Sequence, residues 1–131
     1  MINLSPELLI GVSSIDREHQ DLLTLLDRLI FYNGMPSQSA RLSEILDQLG
    51  TQLAKHFENE EQFLRSCGMP DDDVIVHVQA HSAIRNQYTQ LNLDLMADKP
   101  KALSEAAGLV KQWIVGHMLK HDIKIRKYVA G

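Results

Sequence analysis

The feature that most constrains this chain is the placement of histidines and carboxylates on helical stripes that are otherwise apolar. His56 and Glu60 are four residues apart among leucines and phenylalanines, and His77 and His81 repeat that spacing farther along. Residues at i and i+4 project from one face of an α-helix. An unpaired carboxylate in an apolar interior is costly or becomes neutral. The pattern therefore predicts buried helices whose polar side chains share a positive partner.

Helical periodicity divides the chain into segments that are separated by turn residues. The predicted helices run over about 16–32, 39–66, 71–96 and 102–128, with glycine or proline in the breaks at 33–36, 67–70 and 98–100. Ser13, Ser14 and Asp16 offer N-cap side chains to the first helix. The buried stripe of that helix is expected to contain His19, Leu22, Leu23, Leu26, Leu29 and Ile30.

The lengths of these helices and of their connections predict the architecture. Each helix is long enough to span a bundle, and each connection is short, so neighbouring helices should be antiparallel. We predict an all-α fold, an up-down-up-down antiparallel four-helix bundle with an extended N-terminal arm of about fifteen residues. No strand-like alternation, repeat or linker interrupts the sequence, so residues 1–131 are expected to form a single domain.

Charge and cysteine content exclude several classes of protein. The formal net charge is −4, and we expect the densest basic cluster, Lys124, Arg126 and Lys127, to be solvated, so no nucleic-acid partner is expected. Cys67 is the only cysteine, which excludes an intrachain disulfide, and we assign it no role. The N-terminus does not resemble a signal peptide, and no stretch approaches the roughly 20 apolar residues of a membrane span. We expect a cytoplasmic protein with no membrane partner.

The two i, i+4 pairs can converge at one level of an antiparallel bundle. A mixture of imidazole and carboxylate suits iron, zinc, copper or manganese, and the absence of thiolate ligands argues against an iron–sulfur cluster. His19 lies on the buried stripe of the first helix, and the last helix contains His117. All four helices can therefore contribute to a metal site.

The last helix offers His117 two companions, His121 at i+4 and Asp122 at i+5. Helical spacing alone prefers His121. The apolar stripe of this helix, however, passes through Met118 and Ile125, and Asp122 lies on it. A buried aspartate needs a partner, whereas a histidine at the margin does not. We therefore predict Asp122 as the ligand and leave His121 as an outer or surface residue.

The resulting set is five histidines and two carboxylates, too many for one ion and suitable for two. If two six-coordinate irons share both carboxylates and a solvent-derived oxo or hydroxo bridge, one coordination position stays open. An open position on reduced iron is what O₂ binding needs. With iron as the metal, the same residues would thus form a non-haem di-iron site that can bind O₂.

The same residues resemble the bacteriohemerythrins, a family of non-haem di-iron O₂-binding proteins, over nearly the whole chain. The matching stretches are residues 15–19 (IDREH), 56–61 (HFENEE), His77 and His81 after Gly68-Met69-Pro70, and 113–117 (WIVGH) with Asp122. Four matches in order at the family's spacing are far more specific than one HxxxE pair.

The resemblance implies a division of the ligands. His77, His81 and His117 hold one iron, His19 and His56 hold the other, and Glu60 and Asp122 bridge them. It implies that O₂ binds end-on at the two-histidine iron and is held as hydroperoxide, with one electron from each iron and the proton of the bridging hydroxide. Phe57, Trp113, Ile114 and Met118 are the expected O₂ pocket, although for Phe57 and Trp113 a plain role in the core is favoured.

The resemblance leaves three other functions to consider. An O₂- or redox-sensing module of a signalling protein has the same iron chemistry. Residues 1–131 contain no output domain, so this alternative requires that the chain is a fragment of a longer protein or that it signals by docking to a partner. A di-iron oxidase or peroxidase usually has more carboxylates, in Glu-x-x-His pairs. Four-coordinate zinc does not need so many ligands. We expect reversible O₂ carriage, storage or delivery by a protein that is not an enzyme.

Overall fold

The computed structural model describes residues 5–33, 39–97 and 100–129 of the chain. Its helices are α1 (Ser13–Tyr32), α2 (Ser39–Ser66), α3 (Asp71–Met96) and α4 (Pro100–Lys120). Short 3₁₀ helices lie at Pro6–Leu8 and Asp122–Tyr128. The all-α prediction and the bounds of α2 and α3 are confirmed. The turns predicted at 34–36 and 98–99, and the start of the N-terminal arm, lie outside the described residues.

The helices form a ring in which each packs on two neighbours. α1 contacts α2 and α4, and α3 contacts the same two helices from the other side. Glu60, late in α2, meets His77 near the start of α3, whereas Leu46, early in α2, accepts a hydrogen bond from Tyr88 late in α3. These paired contacts show that α2 and α3 run in opposite directions. The predicted four-helix bundle is confirmed.

Two apolar clusters lie along the bundle, and the polar residues are between them. The larger cluster fills the bundle with leucine and isoleucine side chains from all four helices. The smaller cluster joins the N-terminal arm, the end of α2, the start of α3 and the C-terminal 3₁₀ helix through Ile10, Ile15, Leu64, Met69, Val74 and Ile125. The smaller cluster therefore closes the bundle at the end where the histidines lie.

The start of α1 differs from the prediction. The helix begins at Ser13 after Val12, and no side chain caps it. The carboxylate of Asp16 instead accepts hydrogen bonds from the backbone N–H of Ile10 and Gly11, at 2.8 and 3.1 Å. Asp16 thus fixes the N-terminal arm against the first turn of the helix, and Gly11 adopts the left-handed backbone (φ 97°) of the turn between them.

The predicted buried stripe of α1 is wrong at its last position. Ile30 is 39% exposed, whereas Leu29 is fully buried. The neighbouring Phe31 is also exposed, so the last turn of α1 is buried mainly on the side of Leu29. Among the residues that the structure describes, no helix is long and apolar enough to cross a membrane.

The last predicted helix, 102–128, is two elements rather than one. α4 ends at Lys120, and after a turn at His121 the chain continues as a 3₁₀ helix from Asp122 to Tyr128. Residues three apart align in a 3₁₀ helix. Asp122 and Ile125 are accordingly buried side by side. After this break Asp122 Oδ1 lies 2.9 Å from His117 Nε2, although residues five apart on a continuous α-helix point about 140° away from each other.

Candidate metal centre

All the side chains predicted as ligands meet inside the closed end of the bundle. The buried histidines and carboxylates of the described residues are His19, His56, Glu60, His77, His81, His117 and Asp122, each at most 7% exposed. Their donor atoms form two groups, in each of which the atoms lie within 4.8 Å of one another. One group contains His77, His81 and His117, the other contains His19 and His56, and both include Glu60 and Asp122.

Helix geometry explains how each element supplies its part. His56 and Glu60 on α2, and His77 and His81 on α3, are one turn apart and so project from the same face of their helices. α1 contributes His19, and α4 contributes His117 from its last turn. Asp122 comes from the 3₁₀ helix. The prediction that Asp122 points inward is confirmed, and its role as a ligand stays a prediction.

The two carboxylates each turn one oxygen toward each histidine group. Glu60 Oε1 lies 2.7 Å from His77 Nε2 and 3.1 Å from His81 Nε2, while Oε2 lies 3.0 Å from His56 Nε2. Asp122 Oδ1 lies 2.9 Å from His117 Nε2 and 3.0 Å from His77 Nε2, while Oδ2 lies 3.1 Å from His19 Nε2. Each carboxylate therefore faces both histidine groups at once.

Electrostatics couple the protonation of these groups. Burial disfavours the charged form of His19 and His77, but hydrogen bonds to Asp122 and Glu60 outweigh it and raise the pKa of each imidazole to about 9. Burial also lowers the pKa of His117, but hydrogen bonds to Asp122 and Glu60 outweigh it and raise this pKa as well. Burial alone would raise the pKa of Glu60 and Asp122, yet the imidazoles hold both carboxyl pKa values well below their usual range. The carboxylates are thus ionised and need positive charge beside them.

Several buried polar atoms of this cluster lack a hydrogen bond of proper geometry. They include His117 Nε2 and Glu60 Oε2, although other polar atoms lie within about 3 Å of each. Buried polar atoms are normally hydrogen-bonded. These donor atoms lie close together but do not form good hydrogen bonds with one another. A cation between them would account for this arrangement. The residues present therefore fit a metal site built from nitrogen and oxygen ligands.

Comparison with known proteins agrees with this geometry. The family profile of the hemerythrin HHE cation binding domain matches residues 10–126. The chain belongs to the hemerythrin family. A bacteriohemerythrin of Campylobacter jejuni is 26% identical over 118 residues, which cover 87% of this chain and 84% of the relative. A bacteriohemerythrin of Stenotrophomonas maltophilia is 23% identical over 117 residues, which cover 88% of this chain and 73% of the relative. This hemerythrin domain is a non-haem iron-binding domain, and the residues of the buried cluster are placed so that they could hold a metal.

A small, mostly apolar cavity adjoins His19 and His56 of the two-histidine group and also touches His117 and Asp122. Its volume is about 10 Å³, room for roughly one water-sized sphere. Phe57, Ile114 and Met118 line it, as predicted for the O₂ pocket, whereas Trp113 packs half-buried on the bundle core and does not line it. Sequence reasoning missed three further lining residues, Leu22, Leu53 and Ile84. They look like ordinary core positions, and only the fold shows that they face the metal site.

His121 lies beside the cluster but belongs to neither ligand group. Its ring centroid is 5.1 Å from that of His117 and 5.8 Å from that of His77. Partial burial and the positive charge of its neighbours lower the pKa of His121 to about 4. Lys124 and Lys127, predicted to be solvated, are exposed and line a surface cleft with His121. Cys67 is half-buried in the smaller apolar cluster.

Sequence reasoning also missed two outer carboxylates of the hemerythrin domain. Glu18 Oε1 lies 2.9 Å from His56 Nδ1, and Glu61 Oε2 lies 2.8 Å from His81 Nδ1. In the sequence both glutamates look like ordinary solvated residues on a helix surface. In the structure their side chains are partly buried. The sequence offered one clue, because each glutamate is next to a predicted ligand: Glu18 precedes His19, and Glu61 follows Glu60.

Proposed function

We propose that this hemerythrin domain binds O₂ reversibly at a pair of non-haem iron ions. The observation that supports it most is the division of Glu60 and Asp122 between two histidine groups, since each carboxylate offers one oxygen to each group. A single ion would not need both oxygens of both carboxylates. Two ions at carboxylate-bridged positions account for the whole set of donors.

In this proposal His77, His81 and His117 hold one iron, and His19 and His56 hold the other. Glu60, Asp122 and a solvent-derived oxo or hydroxo group would be shared by the two ions. Held by two histidines instead of three, the second iron would have one ligand fewer and could supply the open position. The iron pair supplies the electrons and the coordination position that O₂ binding requires.

The surrounding side chains have a separate task. The cavity touches His19 and His56, the histidines of the proposed iron with the open position, and also His117 and Asp122. The rest of its lining is leucine, isoleucine, methionine and phenylalanine. Such a lining admits a small neutral molecule and disfavours water. Phe57 also stacks on His81, with ring centroids 3.9 Å apart and planes 13° from parallel, which fixes that imidazole.

We further propose binding rather than catalysis as the role of the site. Both buried carboxylates face the histidine groups, so neither is left free as a general acid or base. The relatives carry the name bacteriohemerythrin, which favours O₂ binding over the sensing alternative.

The proposal is tested by visible spectroscopy of the iron-loaded, anaerobically reduced protein. Admitting air should produce a charge-transfer absorption band, and removing O₂ under argon should abolish it over repeated cycles. A protein in which Asp122 and Glu60 are both replaced by alanine should show no band. Irreversible bleaching of wild type on the first exposure, or consumption of an added reductant with turnover, would contradict reversible binding.

A further inference from the structure

We propose that Glu18 and Glu61 are positioning residues, each setting the orientation and the electron donation of one histidine, and that Glu18 has the larger influence. The inference rests on the proposed two-iron site and assigns a role to residues outside its ligand set. It concerns the reduction potential and the iron affinity of the site.

The first step is the hydrogen bonds. Glu18 Oε1 lies 2.9 Å from His56 Nδ1, and Glu61 Oε2 lies 2.8 Å from His81 Nδ1. A carboxylate only accepts hydrogen bonds, so each Nδ1 carries a proton, which leaves Nε2 as the ring nitrogen that can coordinate a metal. The Nε2 atoms of these rings face Glu60 in the interior. The glutamates thus select the tautomer that binds a metal through Nε2 and make the imidazole a stronger donor.

The second step is the distribution of these contacts. His56 belongs to the two-histidine group and His81 to the three-histidine group, so each half contains one histidine bonded to a carboxylate. The Nδ1 atoms of His19 and His117, by contrast, are buried without a hydrogen bond. In each histidine group, the negative charge of a glutamate therefore acts on one imidazole ring, His56 in one group and His81 in the other.

The third step is the difference between the two glutamates. Glu61 also faces the guanidinium of Arg85 at 3.5 Å, which offsets its charge. The other oxygen of Glu18 accepts a hydrogen bond from the neutral amide of Asn59 at 2.7 Å. His81 is also held by the stacked ring of Phe57, whereas His56 lies tilted to that ring with centroids 6.0 Å apart. His56 therefore depends on Glu18 more than His81 depends on Glu61.

The test compares the iron-loaded full chain with Glu18→Gln, Glu61→Gln and Glu18→Asp. Glu58→Gln, an exposed glutamate on α2, is the matched control. Anaerobic competition with a chelator measures Fe²⁺ affinity, and spectroelectrochemistry measures the reduction potential. Glu18→Gln should weaken Fe²⁺ binding about tenfold or more and raise the potential, because a neutral partner donates less to the ring. Glu61→Gln should shift both in the same direction by less, Glu18→Asp should recover part of the loss, and Glu58→Gln should match wild type.

Chelator competition gives an Fe²⁺ affinity whatever the number of irons and whether or not O₂ binds. A failure of the proposed function therefore leaves this result readable. The inference is overturned if Glu18→Gln keeps wild-type Fe²⁺ affinity and potential, or if Glu58→Gln shifts them as much. It is also overturned if Glu61→Gln has the larger effect.

Discussion

At the residue scale, Asp122 and His121 are neighbours in the chain with opposite environments. Asp122 is 1% exposed and lies within 3.1 Å of three imidazole nitrogens, from His19, His77 and His117. His121 is half-buried and lies outside both ligand groups. The physical difference is that a buried carboxylate requires a cation, whereas a neutral imidazole at the margin is tolerated.

Replacing Asp122 and His121 separately with alanine tests this assignment. Asp122→Ala removes a ligand that both ions share, so the purified chain should retain at most one iron. His121→Ala should retain wild-type iron content, because the ring supplies no donor atom to either group. Elemental analysis per chain is the measurement. Loss of iron in His121→Ala with retention in Asp122→Ala would mean that the wrong residue was chosen.

The pKa values of the metal-free site predict how its stability depends on pH. The pKa values of His19 and His77 are raised from 6.5 to about 9, so protonated imidazoles stabilise the folded metal-free chain below about pH 6.5. That stabilisation is lost as the pH rises through about 9. The loss is on the order of 1 kcal/mol for each unit of pKa difference.

Urea unfolding of the chelator-treated protein should therefore give a smaller free energy of unfolding at pH 9 than at pH 7. The iron-loaded protein is the control and should change much less, because bound cations replace the protons. Equal or greater stability of the metal-free chain at pH 9 would show that these imidazoles are not protonated in the fold.

The residues whose burial in the cluster the sequence predicted and those that it missed differ in one respect. His19, His56, Glu60, His77 and Asp122 were found because a polar residue on an apolar stripe is conspicuous. Glu18 and Glu61 were missed because a glutamate on a helix surface is the commonest of arrangements. Their role depends on which histidine nitrogen they meet, and that contact is made between helices whose relative rotation the sequence does not give.

At the scale of elements, the C-terminal 3₁₀ helix decides whether Asp122 reaches the site. Seven residues is long for a 3₁₀ helix, whose hydrogen-bond geometry is poorer than that of an α-helix. Ile125 anchors it, because its side chain is fully buried in the smaller apolar cluster. The backbone N–H of Lys124 bonds to the carbonyl of His121, which continues the tighter turn.

Ile125→Ala should lower the free energy of unfolding by about 2–5 kcal/mol, the usual cost of such a buried truncation. It should also reduce iron loading, because Asp122 lies one 3₁₀ turn away. Ile123→Ala is the matched control on the same helix, since Ile123 is only partly buried and should cost less. Chemical denaturation and iron content are measured for both. Equal effects of the two substitutions would show that Ile125 does not anchor the element.

The bounds of α2 and α3 were predictable from the sequence, whereas the end of α4 was not. Glycine and proline mark the ends of α2 and the start of α3, and both bounds were predicted correctly. The break after Lys120 has no such marker, because residues 118–127 contain neither glycine nor proline. Beyond this break Asp122 contacts His117 and Ile125 packs in the smaller apolar cluster, and local propensity does not report such tertiary contacts.

At the scale of the whole molecule, the buried cluster is enclosed on both sides. The larger apolar core lies along the bundle, and the N-terminal arm and the C-terminal 3₁₀ helix cover the remaining end. Arg126 Nε donates to the carbonyl of Leu9 at 2.6 Å, which joins the C-terminal 3₁₀ helix to the N-terminal arm. Asp16 accepts from Ile10 and Gly11, which holds that arm against α1. These two segments thus help to shield the ionised groups from water.

The central claim is that two cations occupy this enclosed cluster, and metal stoichiometry tests it most directly. The purified full chain is loaded anaerobically with Fe²⁺, freed of excess metal by gel filtration, and analysed for iron and protein. We predict two irons per chain for wild type and none for a variant with His19, His77 and Asp122 all replaced by alanine. A wild-type content that saturates at one iron per chain, or a triple variant that retains two, would contradict the account.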